Sequence, residues 1–93
     1  MSSRPDDTCM GRTPIGPEEK KFGLVVRKLR LAKGFTQEAF ADHLGIDRSY
    51  QGRIERGETS VTLHKIGLIS TALGITKWEL LKKVVENEYN NSN

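Results

Sequence analysis

Ninety-three residues, 35% of them hydrophobic, are enough for one small domain with one modest core. A lone cysteine, Cys9, cannot form an internal disulfide, no apolar run approaches the roughly eighteen residues of a membrane helix, and the first residues lack the apolar stretch of a secretory signal, so a soluble, cytoplasmic protein is expected. Net charge is only +3, but residues 18–34 carry six basic groups against two acidic ones, which concentrates the positive charge on the first helical segment.

Residues 1–17 hold all three prolines and show no periodicity, and read as a flexible leader. The first helix is predicted from Pro17 or Glu18 to Lys33. Proline suits its first turn, Glu18 and Glu19 complement the helix dipole, and Gly34 stops it. Phe22, Val25, Val26, Leu29 and Ala32 share its core face. Leu24 and Leu31 lie opposite, to cover the terminal helix or an interface.

Thr36 is the predicted N-cap of a second helix, Gln37 to Leu44, which buries Phe40, Ala41 and Leu44 and ends at Gly45. Ile46 plugs the turn, and Asp47 is the predicted cap of a third helix, Arg48 to Arg56, stopped by Gly57. A polar linker leads to Thr62 and a fourth helix, Leu63 to Leu73, closed by Gly74. Thr76 and Glu79 form a capping box that opens a fifth helix reaching about Glu86. No segment alternates with period two, so no strands are expected. The expected fold is all-α, a compact bundle of five short helices over residues 18–86, with a polar tail over 87–93.

The second and third helices, joined by Gly45-Ile46-Asp47, have the spacing of a helix-turn-helix. Ala41 is small where the axes approach. At about 100° per residue, Arg48, Ser49, Gly52, Arg53 and Arg56 gather on one side of the third helix, while Tyr50, Gln51 and Ile54 face the other. Such an arginine-bearing face can enter a major groove, its arginines donating to guanine O6 and N7 or to phosphates. Gly52 costs roughly 0.5–1 kcal/mol in a helix interior. Its place between Arg48 and Arg56 implies close approach to DNA, with room for the flanking arginines.

With those residues in view, "LRLAKGFTQEAFADHLGIDRSYQGRIERGE" followed by "TLHKIGLISTALGIT" resembles the Cro/C1-type (XRE) helix-turn-helix domain, the lambda-repressor-like fold of phage repressors and bacterial regulators. The likeness covers about residues 22–82. Its marks are Arg30 ahead of Gly34, Thr36-Gln37-Glu38, Ala41, Gly45, Ile54-Glu55-Arg56-Gly57 and the Leu73-Gly74 stop. Within the family, "LGIDRSY" is similar to the controller proteins of restriction-modification systems.

The resemblance implies that Arg48, Ser49 and Arg53 read bases. It implies that Gln37 holds a phosphate through its side chain and backbone N–H, with Thr36, Tyr50 and Arg56 also on the DNA backbone. Arg30 and Glu55 are implied to form a partly buried structural ion pair. Gln51 departs from the pattern, which places an aliphatic residue there. It is expected to snorkel outward or to bond a neighbouring backbone group.

Neither His43 nor His64 has metal-spaced neighbours, and no Ser/His/Asp set, phosphate loop or paired acid appears, so neither an enzyme, a cofactor nor a metal is expected. His43 complements the dipole of the second helix. On the fifth helix, Trp78, Leu80, Leu81, Val84 and Val85 span a wider arc than docking requires, and Trp78, Leu81, Val84 and Val85 are assigned to a homodimer interface. The expected partners are a pseudo-palindromic double-stranded DNA operator and a second copy of the chain, with no membrane and no small-molecule effector. The rival from another class is an antitoxin-like protein-interaction module that uses the fifth helix or the leader.

Overall fold

Five helices follow one another in the computed structural model, which describes residues 16–91: α1 Pro17–Ala32, α2 Gln37–Leu44, α3 Arg48–Arg56, α4 Leu63–Leu73 and α5 Lys77–Asn91. The expected leader lies almost wholly outside the described residues. Among the described residues there is no strand, and no helix is long and apolar enough to cross a membrane.

Local chemistry sets most of the boundaries. The carboxylate of Glu19 reaches back to accept the Gly16 N–H at 3.0 Å, which anchors the start of α1. Thr36 Oγ1 accepts the Ala39 N–H at 3.0 Å, and Thr62 Oγ1 accepts the Lys65 N–H at 3.1 Å. Both bonds of the Thr76–Glu79 capping box form, at 2.9 and 3.0 Å. Asp47 departs from the expected pattern. It has the extended N-cap backbone, φ −73° and ψ 140°, but its side chain makes no capping bond.

At the sequence-predicted end of α5, Glu86, the helix does not stop; it runs to Asn91. Asparagines are poor initiators, but extending a formed helix adds a hydrogen bond for each residue fixed, with no new nucleation cost.

Phe22, Val25 and Val26 of α1, Phe40 of α2, Ile54 of α3, Ile69 and Leu73 of α4, and Leu80 and Val84 of α5 form the core. Leu29, Leu44, Ile46 and Tyr50 pack against its edge. Ala32, expected on the core face of α1, is exposed, although Arg30 in the same turn is buried. Leu24 and Leu31 are also exposed.

α1 lies across the C-terminal half of α3 at very short range. A β-carbon on Gly23 would stand about 2.5 Å from the Glu55 carbonyl oxygen and would also collide with that of Ile54. Gly57, in the left-handed region at φ +71°, meets the backbone of Lys20 in the same way. These two glycines allow the first helix to clamp the third.

Candidate nucleic-acid interface

α2 and α3 are held by the turn that the sequence predicts. Gly45 adopts φ +73°, and the Ile46 N–H donates to the Ala41 carbonyl at 3.0 Å, a left-handed stop that redirects the chain within three residues. Ala41 is buried where the helices meet, and Ile54 anchors α3 from below. Arg48, Ser49, Arg53 and Arg56 are left exposed on one face, as the helical projection requires. With Gln37, Asp47 and Gly52 they line one shallow depression.

Tyr50 is half-buried at the edge of this face. Two cations approach its ring, with Arg53 Cζ 5.7 Å and Lys65 Nζ 5.8 Å from the centroid. Lys65 belongs to α4, and no local rule connects it with the third helix.

Beneath the face is a buried polar cluster centred on Glu55. Arg30 Nε donates to Glu55 Oε2 at 2.7 Å and Arg30 Nη2 to Oε1 at 3.0 Å, a two-pronged pair in which both side chains are almost fully buried. Arg30 Nη1 also donates to the Phe35 carbonyl at 2.7 Å. Gln51 Nε2 reaches Glu55 Oε2 at 2.7 Å, and Gln37 Nε2 reaches Oε1 at 3.2 Å. One carboxylate therefore ties α1, α2 and α3 together. Burial by itself would push the Glu55 carboxyl up. The hydrogen bonds from Arg30, Gln51 and Gln37, together with the Arg30 charge, outweigh it and hold the group below its ordinary range.

The environment of Gln51 differs from expectation, and Gln37 and Gly52 carry contacts that periodicity does not show. Gln51 neither snorkels nor bonds the backbone; it is 0% exposed and spends its amide on Glu55. Gln37 has one N–H of its side chain committed to Glu55, which turns its carboxamide oxygen toward Gly52. Gly52 itself is buried under the protein's own side chains. A β-carbon there would lie 3.0 Å from Arg56 Nη1 and 3.5 Å from Gln37 Oε1. The room left by the glycine is therefore occupied by Arg56 and Gln37 and is not open to solvent.

This arrangement can be set beside known proteins. A helix-turn-helix family model matches residues 26–80, which takes in α2, the turn, α3 and α4. The chain belongs to the XRE-type helix-turn-helix family. Among the relatives of this helix-turn-helix chain, the control protein C.MunI of a Mycoplasma species is 40% identical over 65 residues, 69% of this chain and 88% of that protein. The crystal structure of the restriction-modification controller protein C.AhdI from Aeromonas hydrophila superposes with a TM-score of 0.67 at 46% identity, covering 70% of this chain and 98% of that one. The controller protein C.Esp1396I, solved as a tetramer with its natural 35 base-pair operator, superposes with a TM-score of 0.71 at 29% identity, covering 77% and 95%.

On α5 the structure divides the proposed interface residues. Trp78 is 72% exposed, Leu81 39% and Val85 64%. Val84, assigned with them, is 6% exposed and belongs to the protomer's own core, because it falls one helical turn from Leu80 on the inward side.

Proposed function

We propose that this XRE-type protein is a sequence-specific DNA-binding transcriptional regulator of the restriction-modification controller kind, a cytoplasmic binding protein and not an enzyme. It acts as a homodimer on a pseudo-palindromic operator, with α3 in the major groove. The observation that carries this reading is the pairing of an exposed Arg48/Ser49/Arg53 face with a buried Glu55 cluster behind it. Side chains that read base edges must be presented by a rigid helix, and the cluster ties α3 to both helices that precede it.

In this reading Arg48, Ser49 and Arg53 contact bases. Thr36, Gln37, Tyr50 and Arg56 meet the phosphate chain, to which the free N-terminal N–H groups of α2 also point. The side-chain contact of Gln37 uses its second amide hydrogen, since the first is held by Glu55.

Trp78, Leu81 and Val85 supply an exposed apolar strip on α5 for a two-fold contact. Such a dimer sets two α3 helices about 34 Å apart, one turn of DNA. Occupancy then follows protein concentration, which suits a protein that controls its own promoter. The relatives C.MunI and C.AhdI, named as control proteins, support this role.

Selecting bound duplexes from a random DNA pool tests the whole reading. Recovery of a two-fold symmetric sequence is the expected result. A pool that returns no enriched sequence, with a stoichiometric protein partner captured instead, would defeat it.

A further inference from the structure

Just past the end of α3 the chain turns back. The Glu58 N–H donates to the Arg53 carbonyl at 2.9 Å across the left-handed Gly57, which brings the Glu58 side chain to the flank of the helix it has just left. There Glu58 Oε1 stands 3.1 Å from Arg56 Nε. Arg56 meanwhile lies back along α3, with Nη1 beside Gly52 and the Gln37 oxygen close by. One edge of the guanidinium is held by a carboxylate, and the other lines the depression of the reading face.

Resting on the DNA-binding reading above, we infer that Glu58 is a specificity-determining residue: its carboxylate competes with DNA phosphates for Arg56 and so penalises duplexes on which α3 is not fully seated. Binding without sequence recognition comes almost wholly from cations neutralising phosphates. An acid beside one of those cations lowers its share of that sum and adds repulsion of its own. On a cognate site the base contacts of Arg48, Ser49 and Arg53 seat the helix, a phosphate comes within reach of Arg56, and the pair gives way.

The same carboxylate also orients Arg56, which by itself would aid binding. Both side chains are more than half exposed, at 58% and 52%, so the pair fixes Arg56 only loosely. The charge effect is therefore the larger of the two.

The test compares the full chain with Glu58→Gln and with Glu86→Gln, which makes the same charge change at an exposed position of α5, a helix that packs chiefly on α1 and α4. Two labelled probes are titrated over a range of salt: a random-sequence duplex and the duplex enriched by selection. Glu58→Gln should tighten random-duplex binding about three- to tenfold and steepen its log K against log salt slope by about 0.9. It should tighten the selected site by less, so the ratio of the two affinities falls, and Glu86→Gln should leave that ratio unchanged.

Equal gains on both probes, no gain, weaker binding, or the same response from Glu86→Gln would each overturn the role of Glu58. Failure of the parent chain to bind either probe would instead defeat the regulator reading, and this inference with it.

Discussion

Gln51 gives Glu55 a 2.7 Å hydrogen bond through Nε2, while its Oε1, fully buried, has no partner among the described residues. A bond to a charged group contributes about 1.5–3 kcal/mol, and an unsatisfied buried acceptor costs about 1–3 kcal/mol, so the two nearly cancel. Replacing Gln51 by Leu, the kind of residue the family pattern places there, should change stability by less than about 1.5 kcal/mol. Urea denaturation measures it. A loss of more than about 3 kcal/mol would mean that the amide is indispensable to the cluster.

The Arg30–Glu55 pair behaves differently from an exposed one. Arg30→Ala or Glu55→Ala strands a buried charge and should each cost about 3–5 kcal/mol, whereas the double replacement Arg30→Leu with Glu55→Leu should cost well under the sum. A double-mutant cycle by chemical denaturation decides. Additive losses would show that the two charges are not energetically coupled.

Acid should act through the same carboxylate. Its folded-state pKa is lowered from an ordinary 4.5, so the native state holds fewer protons than the unfolded chain in that range. Its stabilising contribution is complete above about pH 5 and is lost as pH falls through the lowered value. The decline in unfolding free energy below pH 4.5 should be shallower in Glu55→Gln than in the parent chain, after both are referenced to pH 7. Parallel acid limbs would contradict the assignment.

Two glycines on facing helices predict opposite outcomes. Gly23→Ala drives a β-carbon into the Ile54 and Glu55 carbonyls, neither of which can yield without moving α3, and should cost at least about 2–3 kcal/mol. Gly52→Ala presses on the flexible end of Arg56, meets Gln37 Oε1 only at ordinary van der Waals range, and should leave thermal stability unchanged or slightly raised. Gly52→Leu should displace Arg56 and weaken DNA binding without unfolding the protein. Thermal melts and duplex titrations separate the three variants.

On DNA, Arg48→Ala and Arg53→Ala should each cost about 1–3 kcal/mol at the selected site and relax base preference. Gln37→Ala should weaken all duplexes more evenly. Base preference that survives both arginine replacements would move the reading surface off α3.

Much of this was legible in the sequence because it is governed by chemistry within a few residues. Thr36, Thr62 and Thr76 cap helices because a hydroxyl three residues from a free N–H satisfies it wherever the helix sits. Arg48, Ser49 and Arg53 share an exposed face because helical periodicity places them there and Ile54 buries the opposite side. The Arg30–Glu55 pair came from family likeness, since its partners lie 25 residues apart and no local rule connects them.

Tertiary structure alone decided the rest. Gly23 is an ordinary helix position until α3 lies within van der Waals range of it. Gln51 looked like an edge residue because periodicity gives its direction but not the carboxylate waiting there. Gly52 looked open because an angle on a helical wheel cannot show Arg56 folding back across it. Glu58 looked like linker until the Gly57 turn returned it to the flank of α3, beside Arg56. Sequence by itself determined where each helix begins, which residues α3 exposes on its arginine face and which family the pattern fits, because those depend on backbone geometry and near neighbours. How close α1 comes to α3, and which polar groups meet beneath the reading face, depend on distances between helices that only the packed core sets.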